Sequence, residues 1–374
     1  MSRALQLPLQ LDGPLIGSIK GERSIMAYPF FDLDKRALKS RIEFEDADVG
    51  VRIAVRAADG SGVPTIYDKD LVLYVATVIA RRMDDNRLTG SDEDRVVNFS
   101  VHDFFRVAGR STDARSYERF KAMLDRLTSA TISTNIEVSF DDETLGADGW
   151  FEWFERTGTG IQYRKAKDGK KRISHVRIVV GRWLFNAIVK DRRILTYAKR
   201  YFDLEPVPRR LYDLARVHVG HQERWQIRLP KLQSRIGDNS RISQFLSALK
   251  KLEERDPLPE YRFRIVEPLR PGRQRRTASD FERIMVVFTA RSDAEPQVAA
   301  KPAIELQVRP REIRHPNLVR HLEGLGYVGC LGKAKTVNRL LKAADRDTIP
   351  ERELAQDLTR LADLLVELGE ERAG

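Results

Sequence analysis

Apolar residues along the chain switch between a helical and a strand period, and they do so twice in the same order. After Asp68, a candidate N-cap, Leu71, Tyr74, Val75, Val78 and Ile79 fall at i, i+3, i+4, i+7 and i+8, the stripe of an amphipathic helix. Val96 to Phe99 reads as a short strand, Ser100 as the cap of a short helix over 101–107, and Gly109 as its end. Ser111 or Thr112 caps a second helix to about Thr128, with Tyr117, Phe120, Leu124 and Leu127 on one face. Thr131 to Val138 is rich in β-branched residues and reads as a strand. A long polar stretch separates it from another strand, Ile173 to Val180.

The second passage repeats this order. Pro208 to Val219 is a helix with Leu211, Leu214 and Ala215 inward, and Arg224 to Leu229 is a strand. Pro230 opens a short helix to Ile236, because a first helical turn tolerates proline. Gly237 ends it, and Asp238, Asn239 or Ser240 caps a helix to about Arg255 with Ile242, Phe245, Leu246, Leu249 and Leu252 on one side. Tyr261–Val266 and Phe281–Thr289 are strands around a loop at 267–280. Helix, strand, helix, turn, helix, strand, loop, strand is the order of a winged helix. The sequence therefore predicts an α+β protein with two such domains in tandem, at 66–200 and 201–291.

Around this pair, residues 1–65 read as an N-terminal arm or small sheet, with strand-like pieces from Ser40 and from Val51. Residues 292–310 read as a linker and 311–374 as a helical region. Leu354, Leu358, Leu361, Leu365 and Leu368 are spaced 4-3-4-3, which suits docking onto the protein's own core or a dimer seam. The aromatic cluster Trp150, Phe151, Trp153 and Phe154 is expected to pack in the core or against a sheet.

Charge turns this pattern towards a polyanion. The chain has 374 residues and a formal net charge of +11, with a pI near 9.7. That balance fits nucleic acid, or a scattered basic surface that only aids solubility. Its position along the chain decides between them. Opposite the apolar face of the 111–128 helix lie Arg115, Ser116, Arg119, Ala122 and Arg126, with Arg110 and Ser111 at its start. Opposite that of the later helix lie Ser240, Arg241, Gln244, Ser247, Ala248 and Lys251. A recognition helix needs this division: an apolar face for its core, and arginine for guanine, glutamine for adenine and serine for base or phosphate on the other. An ordinary solvated face has the same composition. Two such helices, each after a short helix and a glycine and each before a strand-loop-strand unit, favour DNA. Both loops are basic: Arg164, Lys165, Lys167, Lys170, Lys171 and Arg172 in the first, and Arg270, Arg273, Arg275 and Arg276 in the second. Tips of this kind meet phosphates, adding affinity and salt dependence without sequence preference.

Other classes fit less well. Cys330 is the single cysteine, so there is no internal disulfide and no paired-cysteine zinc site, and a reducing cytoplasm is expected. His218 and His221 lack a third metal ligand nearby. No apolar run approaches the roughly 20 residues of a membrane span, and the N-terminus suits a secretory signal poorly. The glycine pattern Gly324 to Gly329 follows a helical rather than a strand-like stretch, and Ala334 stands where a phosphate-binding loop needs Ser or Thr for magnesium. No catalytic residue, metal or cofactor is expected.

Met26-Ala-Tyr-Pro-Phe-Phe, Ile66-Tyr-Asp-Lys-Asp-Leu-Val-Leu-Tyr74, and Gly109-Arg-Ser-Thr with the helix beginning Tyr117-Glu-Arg-Phe resemble the plasmid replication initiator protein A family, over about residues 24–290. The resemblance implies a protein that uses two winged helices on one origin repeat, helps melt an adjacent A·T-rich region, and recruits the host helicase alongside the host initiator. It also implies a switch between initiating monomers and repressing homodimers. A transcriptional regulator with the same DNA-binding parts is the competing expectation.

Overall fold

The structure, a computed structural model, describes residues 12, 14–15, 18–36, 39–58, 60–140, 143–145, 149–165, 171–220, 222–268, 276–291, 331–342, 349, 351–356, 360–362 and 364–366. They fall into two units, residues 1–45 with 51–295, and residues 46–50 with 296–374. The fold is mixed α and β. The larger unit opens with β1 (Ile19–Glu22), α1 (Arg23–Ala27), β2 (Arg41–Asp46), β3 (Val51–Arg56) and α2 (Lys69–Asp84). Next come β4 (Val96–Phe99), α3 (Val101–Val107), α4 (Ala114–Ser129), β5 (Thr131–Thr134), β6 (Val138–Phe140), β7 (Glu143–Leu145), β8 (Gly149–Phe151), β9 (Phe154–Lys165) and β10 (Lys171–Val180). α5 (Arg182–Val189) and β11 (Ile194–Tyr197) lead to the second passage: α6 (Pro206–His218), β12 (Arg224–Arg228), α7 (Leu229–Ile236), α8 (Ile242–Arg255), β13 (Tyr261–Val266), α9 (Ala278–Glu282) and β14 (Met285–Ala290).

The two passages build the same sheet. The order is β4-β10-β9 in the first and β12-β14-β13 in the second, antiparallel throughout. In each, the strand before the helix pair lies beside the last strand of the hairpin. A separate apolar core backs each passage. Phe104, Phe105, Phe120, Leu124 and Leu127 join Val97, Phe99, Ile178 and Val180 in the first. Leu211, Leu232, Phe245, Leu249, Val286 and Phe288 do so in the second. Both turns between the paired helices rest on a glycine that an L side chain would strain, with φ of +63° at Gly109 and +83° at Gly237.

The structure corrects several local expectations. The strand after α4 does not join the β4-β10-β9 sheet. β5 lies in a four-stranded sheet, order β2-β3-β5-β8, and the hairpin partner of β10 is β9, in the stretch read as polar loop. β9 hides its strand character because Gly158 and Gly160 interrupt its apolar alternation, and the register against β10 is irregular opposite them, between Arg177 and Val179. The four-stranded sheet takes two strands from residues 41–56 and two from 131–151, so the N-terminal pieces and the insertion after α4 form one layer.

Helix starts also differ. Asp68 makes no side-chain cap for α2; its carboxylate accepts from the backbone N–H and hydroxyl of Thr65, at 2.7 and 3.1 Å. Asp113, rather than Ser111 or Thr112, caps α4 by accepting from Ser116 N–H at 2.7 Å, and that bond, with the hydroxyls of Ser111 and Ser116, lowers its pKa. α8 starts after Arg241 with no side-chain cap, because Asp238 turns back on Ser240 N–H, 2.9 Å away. Between β13 and β14, Thr277 and Asp280 form a capping box that begins α9 and delays the last strand to Met285. Trp153 and Phe154 are buried and Phe151 stacks on Trp183 at 4.7 Å, but Trp150 is 71% exposed.

In the smaller unit, α10 (residues 331–342) and α11 (Glu351–Gln356) close a small core, in which Leu354 and Leu361 of the 4-3-4-3 run are buried with Ala334, Val337 and Leu341. Leu358, Leu368, the linker at 292–310, the glycine pattern at 324–329 and Cys330 lie outside the described residues.

Candidate nucleic-acid interface

α4 and α8 each bury one face and leave the other open. On α4, Phe120, Met123, Leu124 and Leu127 are buried, while Arg115, Glu118, Arg119, Ala122 and Asp125 are exposed. Arg115, Arg119 and Ala122 lie near one line, spaced four and three residues, and Ser111 is exposed at its start. Lys121 is tied to Glu118 at 2.9 Å. On α8, Phe245, Leu246, Leu249 and Leu252 are buried, and Ser240, Arg241, Gln244, Ser247, Ala248 and Lys251 are exposed. The Ser247 hydroxyl donates to Ser243 O at 2.9 Å, which leaves its oxygen free to accept.

Three residues expected on the first open face turn inward. Arg110 donates to Tyr67 O and to Asp70, both at 2.8 Å, because the Gly109 turn points the chain back at the start of α2. Arg126 makes a two-pronged contact with Asp68, at 2.7 and 2.8 Å. Burial opposes its charge, but the carboxylate outweighs that and holds its pKa above the usual arginine value. Ser116 is buried, its oxygen 3.0 Å from that of Ser111. In the second hairpin, Arg276 pairs with Glu267, which also holds Lys250 at 2.5 Å, so Arg276 braces the hairpin base.

β9 and β10 form the first hairpin. Its register places Arg172 opposite Arg164 and Lys171 opposite Lys165. Lys167, Lys170, Arg273 and Arg275 lie outside the described residues.

The sequence reading missed a buried charge network that joins the two passages. Lys69 reaches Asp213 at 2.5 Å with both side chains fully buried. Asp213 also accepts from Arg210 and from the Tyr197 hydroxyl, each at 3.0 Å. Arg210 donates onward to Met26 O and Arg235 O, both at 2.9 Å. Asp70 bridges Arg110 and Arg209, the latter at 2.6 Å. Arg126 on α4 holds Asp68, whose chain neighbour Lys69 leads through Asp213 and Arg210 to the end of α7, the helix before α8. Burial and the neighbouring arginines lower the Lys69 pKa to about 8 against the opposing pull of Asp213. Burial also pushes the Tyr197 and Tyr201 hydroxyls well above the usual tyrosine value. The available signal was compositional: Asp68, Lys69 and Asp70 open an otherwise apolar helix, and Arg209, Arg210 and Asp213 share a helix whose neighbours are core residues. Among the described residues no cluster of His, Cys, Asp and Glu suits a metal, and no helix is long and apolar enough to cross a membrane.

Comparison with known proteins meets this geometry from outside. Residues 20–263 match the family described as Replication initiator protein A. A relative from Wigglesworthia glossinidia brevipalpis that carries a replication-protein name is 30% identical over 254 residues, which are 68% of this chain and 87% of that protein. Two crystal structures of domains 2 and 3 of RctB are similar at 13% identity. One has a TM-score of 0.49 and covers 72% of this chain and 98% of its own; the other has 0.44, with 71% and 95%. The chain belongs to the Replication initiator protein A family, and its role is that of a replication initiator. The family match ends within β13, so α10 and α11 lie beyond it.

Proposed function

We propose that the two passages are winged-helix domains that grip one repeat of a plasmid origin, with α4 and α8 in successive major grooves and the β9–β10 and β13–β14 hairpins as wings. The observation that carries this reading is the duplicated geometry. Each passage has a strand, a helix pair turned at a left-handed glycine, a hairpin that closes the same sheet order, and a second helix whose open face holds cations and a small residue, with an exposed serine ahead of it. Arg115, Arg119, Arg241 and Gln244 are the base-reading candidates, Ser111, Ser240, Ser247 and Lys251 the flanking contacts, and the wing cations the phosphate contacts. Successive major grooves on one side of a duplex lie about 34–36 Å apart. The fused charge network suits that task, because it makes the helix pairs parts of one unit.

Bound repeats would promote melting of adjacent A·T-rich DNA and recruitment of the host helicase in the cytoplasm, with the host initiator and a homodimeric repressing form as further partners. The protein then works by binding, with no catalytic step, metal or cofactor of its own. The test is replication of a plasmid that carries only this gene and the repeats flanking it. Maintenance in a host lacking the parent plasmid supports initiation. Repeat binding without replication makes the protein a transcriptional regulator, and a nicked, covalently linked product with supercoiled DNA and magnesium makes it an enzyme.

A further inference from the structure

α10 carries a charge pattern that the reading above does not use. Its sequence, Leu331-Gly-Lys-Ala-Lys-Thr-Val-Asn-Arg-Leu-Leu-Lys342, holds four cations and no acid. Ala334, Val337 and Leu341 are buried against Leu354, Ala355, Leu361 and Ala362. Asn338 fixes the helix in that setting: its amide donates to Ile349 O at 2.6 Å and accepts from Ile349 N–H at 3.0 Å. With the core side set, helical geometry decides where the cations go. Lys335, Arg339 and Lys342 stand at i, i+4 and i+7, within about 60° of one another at 100° per residue, on the side away from the core. All three are exposed, and none has an ion-pair partner among the described residues. Like charges at these spacings oppose helix formation, so the stripe is unfavourable alone and favourable beside an anion.

Spacing and composition point to one class of anion. At a rise of 1.5 Å per residue the three cations lie at 0, about 6 and about 10.5 Å along the axis. A row of cations about 10 Å long suits a polyanion rather than a single phosphate, and duplex DNA carries one negative charge per about 1.7 Å of its axis. The remaining exposed residues beside the stripe, Gly332 and Thr336, offer no amide or arginine fork to a base edge, and the Thr336 hydroxyl is turned back to Gly332 O at 3.1 Å. We propose that α10 is a third DNA-contacting element, a sequence-independent grip on duplex phosphates made by Lys335, Arg339 and Lys342. This rests on the DNA-binding reading of the larger unit and goes beyond it by giving the C-terminal unit a ligand and a role, affinity without specificity.

The test uses the full chain and two fluorescent duplexes of equal length, one carrying the flanking repeat and one of arbitrary sequence, with affinity measured by anisotropy across a salt series. The variant Lys335→Gln/Arg339→Gln/Lys342→Gln should flatten the log affinity–log salt slope by about 2–3, at roughly 0.9 per lost phosphate contact, and weaken both duplexes alike by about tenfold or more. Lys335→Arg/Lys342→Arg should keep the parent slope, and Lys333→Gln, off the stripe, should leave it unchanged. An unchanged slope in the glutamine variant overturns the proposal, as does an equal loss in the arginine variant, which would mean packing rather than charge. Loss of repeat preference at constant slope overturns it too, and so does loss of salt-sensitive self-association at constant slope, which would make the occupant an acidic surface of a second copy. A parent protein that binds neither duplex would instead bring down the DNA-binding reading itself.

Discussion

Replacing Asp213 by asparagine takes one negative charge from a site that holds two positive ones. Asp213 is fully buried, and it accepts from Lys69 at 2.5 Å, Arg210 at 3.0 Å and Tyr197 at 3.0 Å. An amide of the same shape keeps the tyrosine bond but leaves a buried ammonium without a counter-charge. Removing one partner of such a pair costs about 3–5 kcal/mol. Arg210 retains its carbonyl acceptors Met26 O and Arg235 O, so Lys69 carries most of the loss. Lys69 can escape by losing its proton, which is why the deficit depends on pH. Its pKa is already near 8 in the intact protein. In the variant the missing counter-charge lowers it further, so below pH 8 the folded variant gives up this proton where the folded parent and both unfolded chains still hold it. The unfolded variant then binds up to one proton more than the folded, and its stability rises with pH relative to the parent by up to about 1.4 kcal/mol per unit below pH 8, levelling off as the parent's own Lys69 deprotonates near 8. Urea unfolding followed by tryptophan fluorescence at pH 6, 7 and 8 measures both quantities. Adding Lys69→Met to Asp213→Asn should recover part of the stability at pH 6. A deficit below about 1 kcal/mol at pH 6, or one of about 3–5 kcal/mol that does not change with pH, would refute the view that these charges are paired and dry.

Other variants separate reading from bracing. Arg119→Ala and Arg241→Ala should each weaken repeat binding by about 1–3 kcal/mol in anisotropy titrations, with unfolding midpoints unchanged. Arg126→Ala should do the reverse on stability, lowering it by about 2–4 kcal/mol because Asp68 keeps only Thr65 as a partner. Replacing Lys170, Lys171 and Arg172 by glutamine should weaken repeat and arbitrary duplexes alike and flatten the salt slope; loss of sequence preference alone would contradict the phosphate role of the wing. Tyr197 and Tyr201 stay protonated when folded and ionise near pH 10 when unfolded. Their contribution is therefore complete below about pH 10 and lost above it, at about 1.4 kcal/mol per unit for each, with Lys69 acting the other way between about 8 and 10.5. Urea midpoints at pH 9 and 11, with absorbance at 295 nm, check this.

What the sequence disclosed follows the strength of its periodicity. α4 and α8 each place four or more large apolar residues at helical spacing, and their outlines and buried faces could be read directly. β13 and β12 are short and alternate strongly enough to be placed to within a residue. β9 could not, since its pairing is made by the backbone and its side chains, Thr157, Gly158, Thr159 and Gly160 among them, carry little hydrophobic signal. Which polar residue caps a helix also escaped, because Ser111, Thr112 and Asp113 are all suitable caps and the turn after Gly109 selects among them. The inward turn of Arg110 and Arg126 was invisible for a related reason. Periodicity places a side chain on a face, but Asp68 and Asp70, some forty to sixty residues away, supply the carboxylates that draw these arginines in. Long-range pairing of charges leaves no local trace, and the same holds for Lys69 with Asp213, 144 residues apart.

Hydroxyl-radical footprinting of the full-length protein on DNA flanking its own gene tests the two-headed grip most directly. The account predicts repeats that each show two protected patches on one side of the duplex, centred about one helical turn, ~10 base pairs, apart, with Arg119→Ala opening one patch and Arg241→Ala the other. Uniform protection without repeats, or a single patch opened by both variants, would contradict it.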